Sequence, residues 1–402
     1  MRLPPRWVVA VSCAVAAAIL GDSLLYAVLP AIYPELGLQA AMVGVLLSAN
    51  RFVRLLSNPV AGWVVARAGV RAPFLIAVFV AALTTVVYAL GLGFIVLLLG
   101  RIAWGICWSF LRLGGYLAAL DSSNDGSRGY YLGFFNVVTR FGSFVAVVLG
   151  GLMTDVIGFE TTVYIFAALT VLGGLAVFRE RPPAVDEQRR REGAVSTRMF
   201  GDPALLFGPL SIVFVMAFVQ AMTISGLITA TLGAWIRQEA GDSIDLLLVS
   251  VGVATLTGFL LGTRFLSDFL WGPLSGHLSD RHGRRNLLIA AGLIEALSLV
   301  ALVFAPNVWL LILATVILFL AATATTVSLE AITGDFAPPE QRSQTMSLYA
   351  TCADLGSATG PVVGWVGFAL GTMYLGSAGL LVLAGTMYLL LTGHRGAVNG
   401  TR

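Results

Sequence analysis

Ionisable residues recur inside stretches of this chain that are otherwise apolar. Asp22 lies in GDSLLYAVLP, Arg51 and Arg54 in SANRFVRLLSNPVAG, Arg101 and Arg112 in the run from 94 to 119, and Arg140 in the run from 131 to 153. Arg264, Asp268, Glu295, Glu330 and Asp354 are placed in the same way further along. At the centre of a bilayer each such charge costs roughly 2.5 to 3.5 kcal/mol on insertion scales, so each is a functional candidate by default. A carboxylate can take up and release a proton, whereas a guanidinium stays charged and grips carboxylate or phosphate bidentately. The chemistry on offer is therefore proton exchange, anion binding and ion pairs that open and close.

The elements that hold these groups follow from composition. Hydrophobic residues make up 58% of the 402 residues and charged residues only 11%, where a soluble domain carries about 25%. A membrane helix needs about 20 mostly apolar residues. Runs of that kind are predicted at roughly 7 to 29, 41 to 65, 72 to 91, 94 to 119, 131 to 153, 161 to 178, 205 to 235, 247 to 278, 287 to 305, 308 to 333, 346 to 369 and 372 to 392. The expected fold is thus an all-α membrane protein of twelve transmembrane helices. The first run is read as a spanning helix and not as a cleaved leader, because its apolar stretch continues past residue 20.

All basic residues are arginine. Most fall in alternate connections, among them Arg67, Arg71, Arg128, the cluster from Arg179 to Arg198, Arg281, Arg284, Arg285 and Arg342. The opposite connections hold only Arg237, beside Glu35, Asp155, Glu160, Glu239, Asp242 and Asp245. The positive-inside rule then places both termini in the cytoplasm. Without lysine a GxxxxGK[ST] phosphate loop cannot form. There is no HExxH, His277, His282 and His394 have no metal-ligand spacing, and Cys13, Cys107 and Cys352 read as small buried hydrophobes. No enzymatic activity, metal, cofactor or nucleic-acid partner is expected.

The hydrophilic interval 178 to 203 divides the helices six and six. Residues 58 to 71, NPVAGWVVARAGVR, fall on residues 272 to 285, GPLSGHLSDRHGRR, after a slide of 214 positions. Pro59 meets Pro273, Gly62 meets Gly276, Arg67 meets Arg281, Gly69 meets Gly283 and Arg71 meets Arg285. The same slide carries Asp121 onto Asp335, Arg128 onto Arg342 and Gly142 onto Gly356. One register held through four helices points to a duplication.

With GHLSDRHGRR, the chain resembles the major facilitator superfamily of secondary transporters over essentially its whole length. Gly276, Asp280, Arg281, Gly283, Arg284 and Arg285 match that family's signature loop. The first-half copy has Ala66 where the pattern has aspartate. Gly100, Arg101 and Gly105 in GRIAWG resemble the helix 4 motif associated with proton coupling. The antiporter motif of helix 5 lacks its proline here, although SATGPVVG in helix 11 has Gly360 and Pro361. The resemblance implies two pseudo-symmetric six-helix bundles, expected at 1–178 and 204–402 with a cytoplasmic linker at 179–203. It implies a monomer in the bacterial inner membrane that moves a small solute coupled to protons.

The slide also sets Arg54 on Asp268 and Arg140 on Asp354, so equivalent positions carry opposite charges. Each of the four is 12 residues from an inner-loop position, about 18 Å along a helix, near the middle of a core about 30 Å thick. In the family's architecture helix 2 packs on helix 11 and helix 5 on helix 8, which implies the pairs Arg54 with Asp354 and Arg140 with Asp268. An alternative partner for Asp268 is Arg264, four residues earlier on the same helix. Asp22 resembles the proton or cation site of drug exporters in the superfamily, and equally suits a partner for one of the first-half arginines. Arg101 joins these five as a coupling or gating candidate. Arg51, Asn50, Arg112 and Arg264 are the candidates for binding substrate. Their charge favours an anionic or amphiphilic solute, while Trp104, Trp108, Phe110, Tyr116, Phe134 and Phe135 would suit a hydrophobic drug, though helix packing explains most of these aromatics as well. A non-transporting membrane sensor or scaffold is the alternative of another class. Glu295, on a peripheral helix of the family, and Glu330, near an inner helix end, are the weaker candidates.

Overall fold

The computed structural model describes residues 4–123, 127–180, 210–241, 243–246, 249–337, 342–366 and 369–399. Among them are twelve long helices. The first six are α1 (Arg6–Ile32), α2 (Ala40–Ala68), α3 (Arg71–Ala89), α4 (Phe94–Asp121), α5 (Arg128–Ile157) and α6 (Phe159–Arg179). The others are α7 (Ser211–Ala240), α8 (Val253–His282), α9 (Arg284–Val303), α10 (Val308–Phe336), α11 (Arg342–Trp365) and α12 (Leu370–Asn399).

The duplication is visible in the element boundaries. α2 ends at Ala68 and α8 at His282, while α5 opens at Arg128 and α11 at Arg342, both pairs 214 positions apart. Gly69 (φ 78°) and Gly283 (φ 88°) stop the earlier pair, in a backbone region that side chains with a Cβ rarely occupy. Pro59 and Pro273 sit inside α2 and α8 at the same equivalent depth.

Eleven of the twelve helices are long and apolar enough to cross a membrane. The exception is α11, whose 24 residues include Ser343, Gln344, Thr345, Ser347, Thr351, Asp354, Ser357 and Thr359. It also starts earlier than the expected 346, because the polar residues before that position continue the helix instead of ending it. A second correction falls between α7 and α8. The apolar run from 247 is expected to be helical, but Val249–Gly252 forms strand β2, antiparallel to β1 (Ser243–Leu246), with Ile244 opposite Val251. Alternating β-branched valines favour the extended pairing, and a short apolar run has no helical period to oppose it.

Contacts gather α1 to α6 with Ile236–Gly262 in one unit, and α7 as far as Trp235 with the chain from Thr263 in another. In the first, Trp7, Val11, Val15, Phe74, Val78, Trp104 and Leu111 form the buried centre. The start of α8 is tied to α5 there: the Asp155 carboxylate accepts from Thr255 N at 2.8 Å and Thr255 Oγ1 at 2.5 Å. An acidic cap at a helix N-terminus satisfies an otherwise orphaned N–H and meets the positive end of the dipole. In the second unit, Phe214, Leu288, Leu329, Ile332 and Tyr388 belong to the centre, and α7 contains a π-helical turn, Ala221–Ile228. Widened turns of this kind often mark functional sites.

Candidate functional site

The first unit encloses a charged cluster. Arg101 is 1% exposed and Asp22 8% exposed, and their side chains form an ion pair through Nη1 and Oδ1. Asn50 Nδ2 donates to the same Oδ1 at 2.9 Å, and Arg101 Nε donates to the Leu46 carbonyl at 2.9 Å. Tyr26 lies over the group, with the Arg101 guanidinium carbon 5.7 Å from its ring centre and that of Arg51 at 4.9 Å; its hydroxyl donates to Leu47 O. Tyr88 closes the other side, 6.0 Å from Arg101.

Local sequence explains how two helices meet there. A Cβ at Gly105 would lie 2.5 Å from Asn50 O and 2.9 Å from Asn50 Cα. Glycine therefore brings α4 against α2, as small residues do between membrane helices, and seats Asn50 beside Asp22. The GRIAWG spacing keeps Arg101 one turn away on the same side of α4.

The hydrogen bonding is lopsided. Both donors converge on Oδ1, and no described residue bonds Asp22 Oδ2, while the side chain retains 11% of its surface. Three buried polar atoms around it lack partners: Arg101 Nη2, Asn50 Oδ1 and Tyr88 Oη. A buried unmade hydrogen bond costs roughly 1 to 3 kcal/mol. The cluster thus contains one oxygen open to a proton, and a donor and acceptors able to re-pair if the carboxylate is neutralised.

The structure places the remaining candidates as follows. Asn50 is fully buried and belongs with Asp22 instead of standing open to a solute. Arg51 stacks on Tyr26, and Arg54 Nε donates to Asn50 O at 3.1 Å. Arg112 is half-buried and 5.8 Å from the Tyr116 ring, whereas Arg140 is exposed. In the second unit Arg264 donates to Ser225 Oγ at 2.7 Å and Thr229 Oγ1 at 2.9 Å, so it grips the π-helical turn of α7 and the residue after it. Asp268 accepts from Thr323 Oγ1 at 3.2 Å, and Asp354 is half-buried on the polar helix α11. In the signature loop Arg284 bonds Ala331 O at 2.7 Å, pairs with Asp335, and reaches Asp280 at 3.5 Å. Gly276 and Gly283 frame that turn, with Arg281 and Arg285 exposed beside it. Trp104 and Phe135 are core residues, so they pack helices together.

Sequence reasoning singled out Asp22 and Arg101 without joining them, and it passed over Tyr26 and Tyr88. It also ranked Glu295 low. That residue is fully buried and accepts from Gln220 Nε2 at 3.1 Å. A signal was present, since Leu288, Ala291, Ser298, Leu299 and Leu302 share its helical stripe and are all buried.

The description "Major Facilitator Superfamily" matches residues 11–270 and 254–401. Multidrug resistance protein MdtG of Dickeya zeae is 24% identical over 270 residues, covering 66% of this chain and 63% of that protein. The chain therefore spans less than two thirds of the length of that relative. MdtG of Salmonella typhimurium is 25% identical over 291 residues, 69% of each. A probable vesicular acetylcholine transporter-B of Danio rerio is 27% identical over 238 residues, 55% of this chain and 48% of that protein. Two crystal structures share the fold. A bacterial homologue of the human lysosomal transporter Spinster, inward-facing and occupied, has a TM-score of 0.76 at 16% identity over 96% of both chains. Nucleoside transporter NupG has a TM-score of 0.77 at 15% identity, over 96% of this chain and 99% of its own.

Proposed function

Because the chain belongs to the major facilitator superfamily, and is thus a multi-pass membrane protein of a transporter family, we propose that it moves a small solute and that protons exchanging at Asp22 drive its alternating access. The observation that carries this is the unequal treatment of the two carboxylate oxygens: Oδ1 holds Arg101 and Asn50, while Oδ2 has no partner among the described residues. Protonation at Oδ2 removes the counter-charge of Arg101 in a low-dielectric site, where an unpaired guanidinium is costly. Arg101 Nη2, Asn50 Oδ1 and Tyr88 Oη, buried and without partners, are the groups left to re-pair, so α1, α2, α3 and α4 feel the change together. A carboxylate that couples by this route makes the transporter proton-dependent.

The solute is a small organic anion or amphiphile, with Arg51, Arg112 and Arg264 supplying cationic contacts. Efflux of several hydrophobic compounds is the second reading, favoured by the likeness to multidrug resistance proteins. The setting is a bacterial inner membrane with both termini cytoplasmic, and the unit of function is the monomer.

The test is transport in proteoliposomes under an imposed proton gradient, with organic anions and cationic drugs as solutes. The wild type should accumulate its solute only with the gradient, and Asp22→Asn should lose accumulation yet keep equilibrium exchange. Accumulation that is indifferent to the gradient would remove the coupling. Arg54, Arg140, Asp268 and Asp354 are proposed as gating charges on the strength of their inverted signs at equivalent positions. Arg54→Asp combined with Asp354→Arg is expected to recover part of the transport that each single change abolishes. If the double variant transports no better than the singles, the pairing is wrong.

A further inference from the structure

In the second unit, Glu295 of α9 is fully buried and Gln220 of α7, beside it, is 5% exposed. The Gln220 amide nitrogen donates to Glu295 Oε2 at 3.1 Å and to the Ala322 carbonyl of α10 at 3.3 Å, which engages both of its hydrogens. The amide cannot be turned over, because its oxygen would then face the Ala322 carbonyl. With the nitrogen so placed, Gln220 Oε1 and Glu295 Oε1 are each buried without a hydrogen-bond partner. Thr325, the hydroxyl of α10 beside Glu295, gives its proton to Ala321 O at 3.1 Å. The group therefore has acceptors in excess and lacks one donor, and buried polar atoms call for partners.

A counter-charge is missing as well. Among the described residues no arginine or histidine pairs with Glu295. On α9 itself Arg285 lies ten residues earlier, about 15 Å along the axis, and Arg284 is engaged by Asp335 and Asp280. On α10 the ionisable side chains are Glu330, which is exposed, and Asp335, both acidic. The described titratable groups of α12 are the phenols Tyr374 and Tyr388, and on α7 Arg237 lies seventeen residues beyond Gln220. None of these brings positive charge to Glu295. A carboxylate taken out of water without a cation neutralises by binding a proton instead of staying charged. Asp22 differs in this respect, since Arg101 meets its buried charge.

We infer that Glu295 is a second proton-binding site, holding a proton on Oε1 as a neutral carboxylic acid. The proton comes from water as the chain folds. It turns an orphaned acceptor into a donor, with Gln220 Oε1 and Thr325 Oγ1 as the acceptors in its surroundings, and leaves Oε2 to keep the bond from Gln220 Nε2. The bridge ties α7 to α9 and α10 one residue before the π-helical turn Ala221–Ile228. Glu295 has no exposed surface, so the proton is retained and acts as part of the packing. The site lies within the second unit and does not depend on proton exchange at Asp22.

The test is the infrared spectrum of the full chain at neutral pH in a maltoside detergent, which has no ester carbonyl to obscure the carboxylic C=O stretch. The wild type should show that band above amide I, and Glu295→Gln, an uncharged side chain of the same shape, should lose it. Asp22→Asn should keep it, which separates this site from the exchange proposed at Asp22. Carbon-13 labelling of the glutamate carboxyls should shift the band to lower frequency in the wild type, an assignment that needs no variant to fold. After transfer to heavy water the band should shift over hours. A band that ignores the label, or a Glu295→Gln spectrum identical to that of the wild type, would mean that Glu295 is ionised and would overturn the site. A shift in heavy water that is complete at once would overturn the retention of its proton.

Discussion

Arg101→Ala is expected to destabilise the protein by about 3 to 5 kcal/mol, the usual cost of removing one partner from a buried ion pair. The loss has two parts. Asp22 would keep its charge with only Asn50 to solvate it, and the space around Tyr26 and Tyr88 left by the guanidinium would lose its packing. If charge is the larger part, Asp22→Asn combined with Arg101→Met should restore most of the stability, because replacing both members of a buried pair by uncharged groups of similar volume is often neutral or better. The double variant should nevertheless not accumulate solute, since it has no proton-accepting oxygen. Thermal unfolding in detergent micelles checks the first statement and proteoliposome transport the second. A double variant as unstable as Arg101→Ala would mean that packing outweighs charge at this site. One that accumulates solute against a gradient would show that coupling lies elsewhere.

The pair also marks how far the sequence could be read. The repeat and the turn glycines Gly69 and Gly283 were legible because local rules govern them: apolar length, arginine in alternate connections, and glycine where φ is positive; the helices themselves run past the expected ends at 65 and 278, to Ala68 and His282. Which arginine meets Asp22 was not legible, since Arg51, Arg54, Arg101, Arg112 and Arg140 all lie in membrane runs. The choice depends on how closely α2 and α4 approach at Gly105, which is a property of two helices and not of either sequence alone. The burial of Glu295 was overlooked for a related reason. A peripheral helix still turns one stripe inward, and the position of Glu295 on that stripe was available from its spacing to Leu288 and Leu302. The β1–β2 pairing was missed because a short apolar run fits a strand or a helix turn equally well.

Gly360→Leu is expected to abolish transport and to lower stability by more than the usual 1 to 3 kcal/mol of an overpacked core, roughly doubling that cost. A Cβ there would stand 2.3 Å from Met222 O, 2.5 Å from Gly226 Cα and 2.5 Å from Leu227 N. All three are backbone atoms of the π-helical turn in α7, so no side-chain rotation can make room. Gly226 faces it with the same constraint, since a Cβ added there would lie 2.7 Å from Gly360 Cα. The contact is built from small residues because α11 has too little apolar surface to be held by side-chain burial, and in lipid the association of such a helix depends on close backbone packing. The adjoining stretch of α7 carries Ser225 and Thr229, which hold Arg264. Displacing α11 would therefore disturb the anchorage of a proposed substrate arginine. Gly360→Ala should show the same direction with a smaller loss, because one methyl still meets these atoms at less than contact distance. Measured by thermal unfolding and transport together, a Gly360→Leu protein that melts like wild type would show that α11 and α7 separate without cost, and would remove the packing role assigned to this glycine.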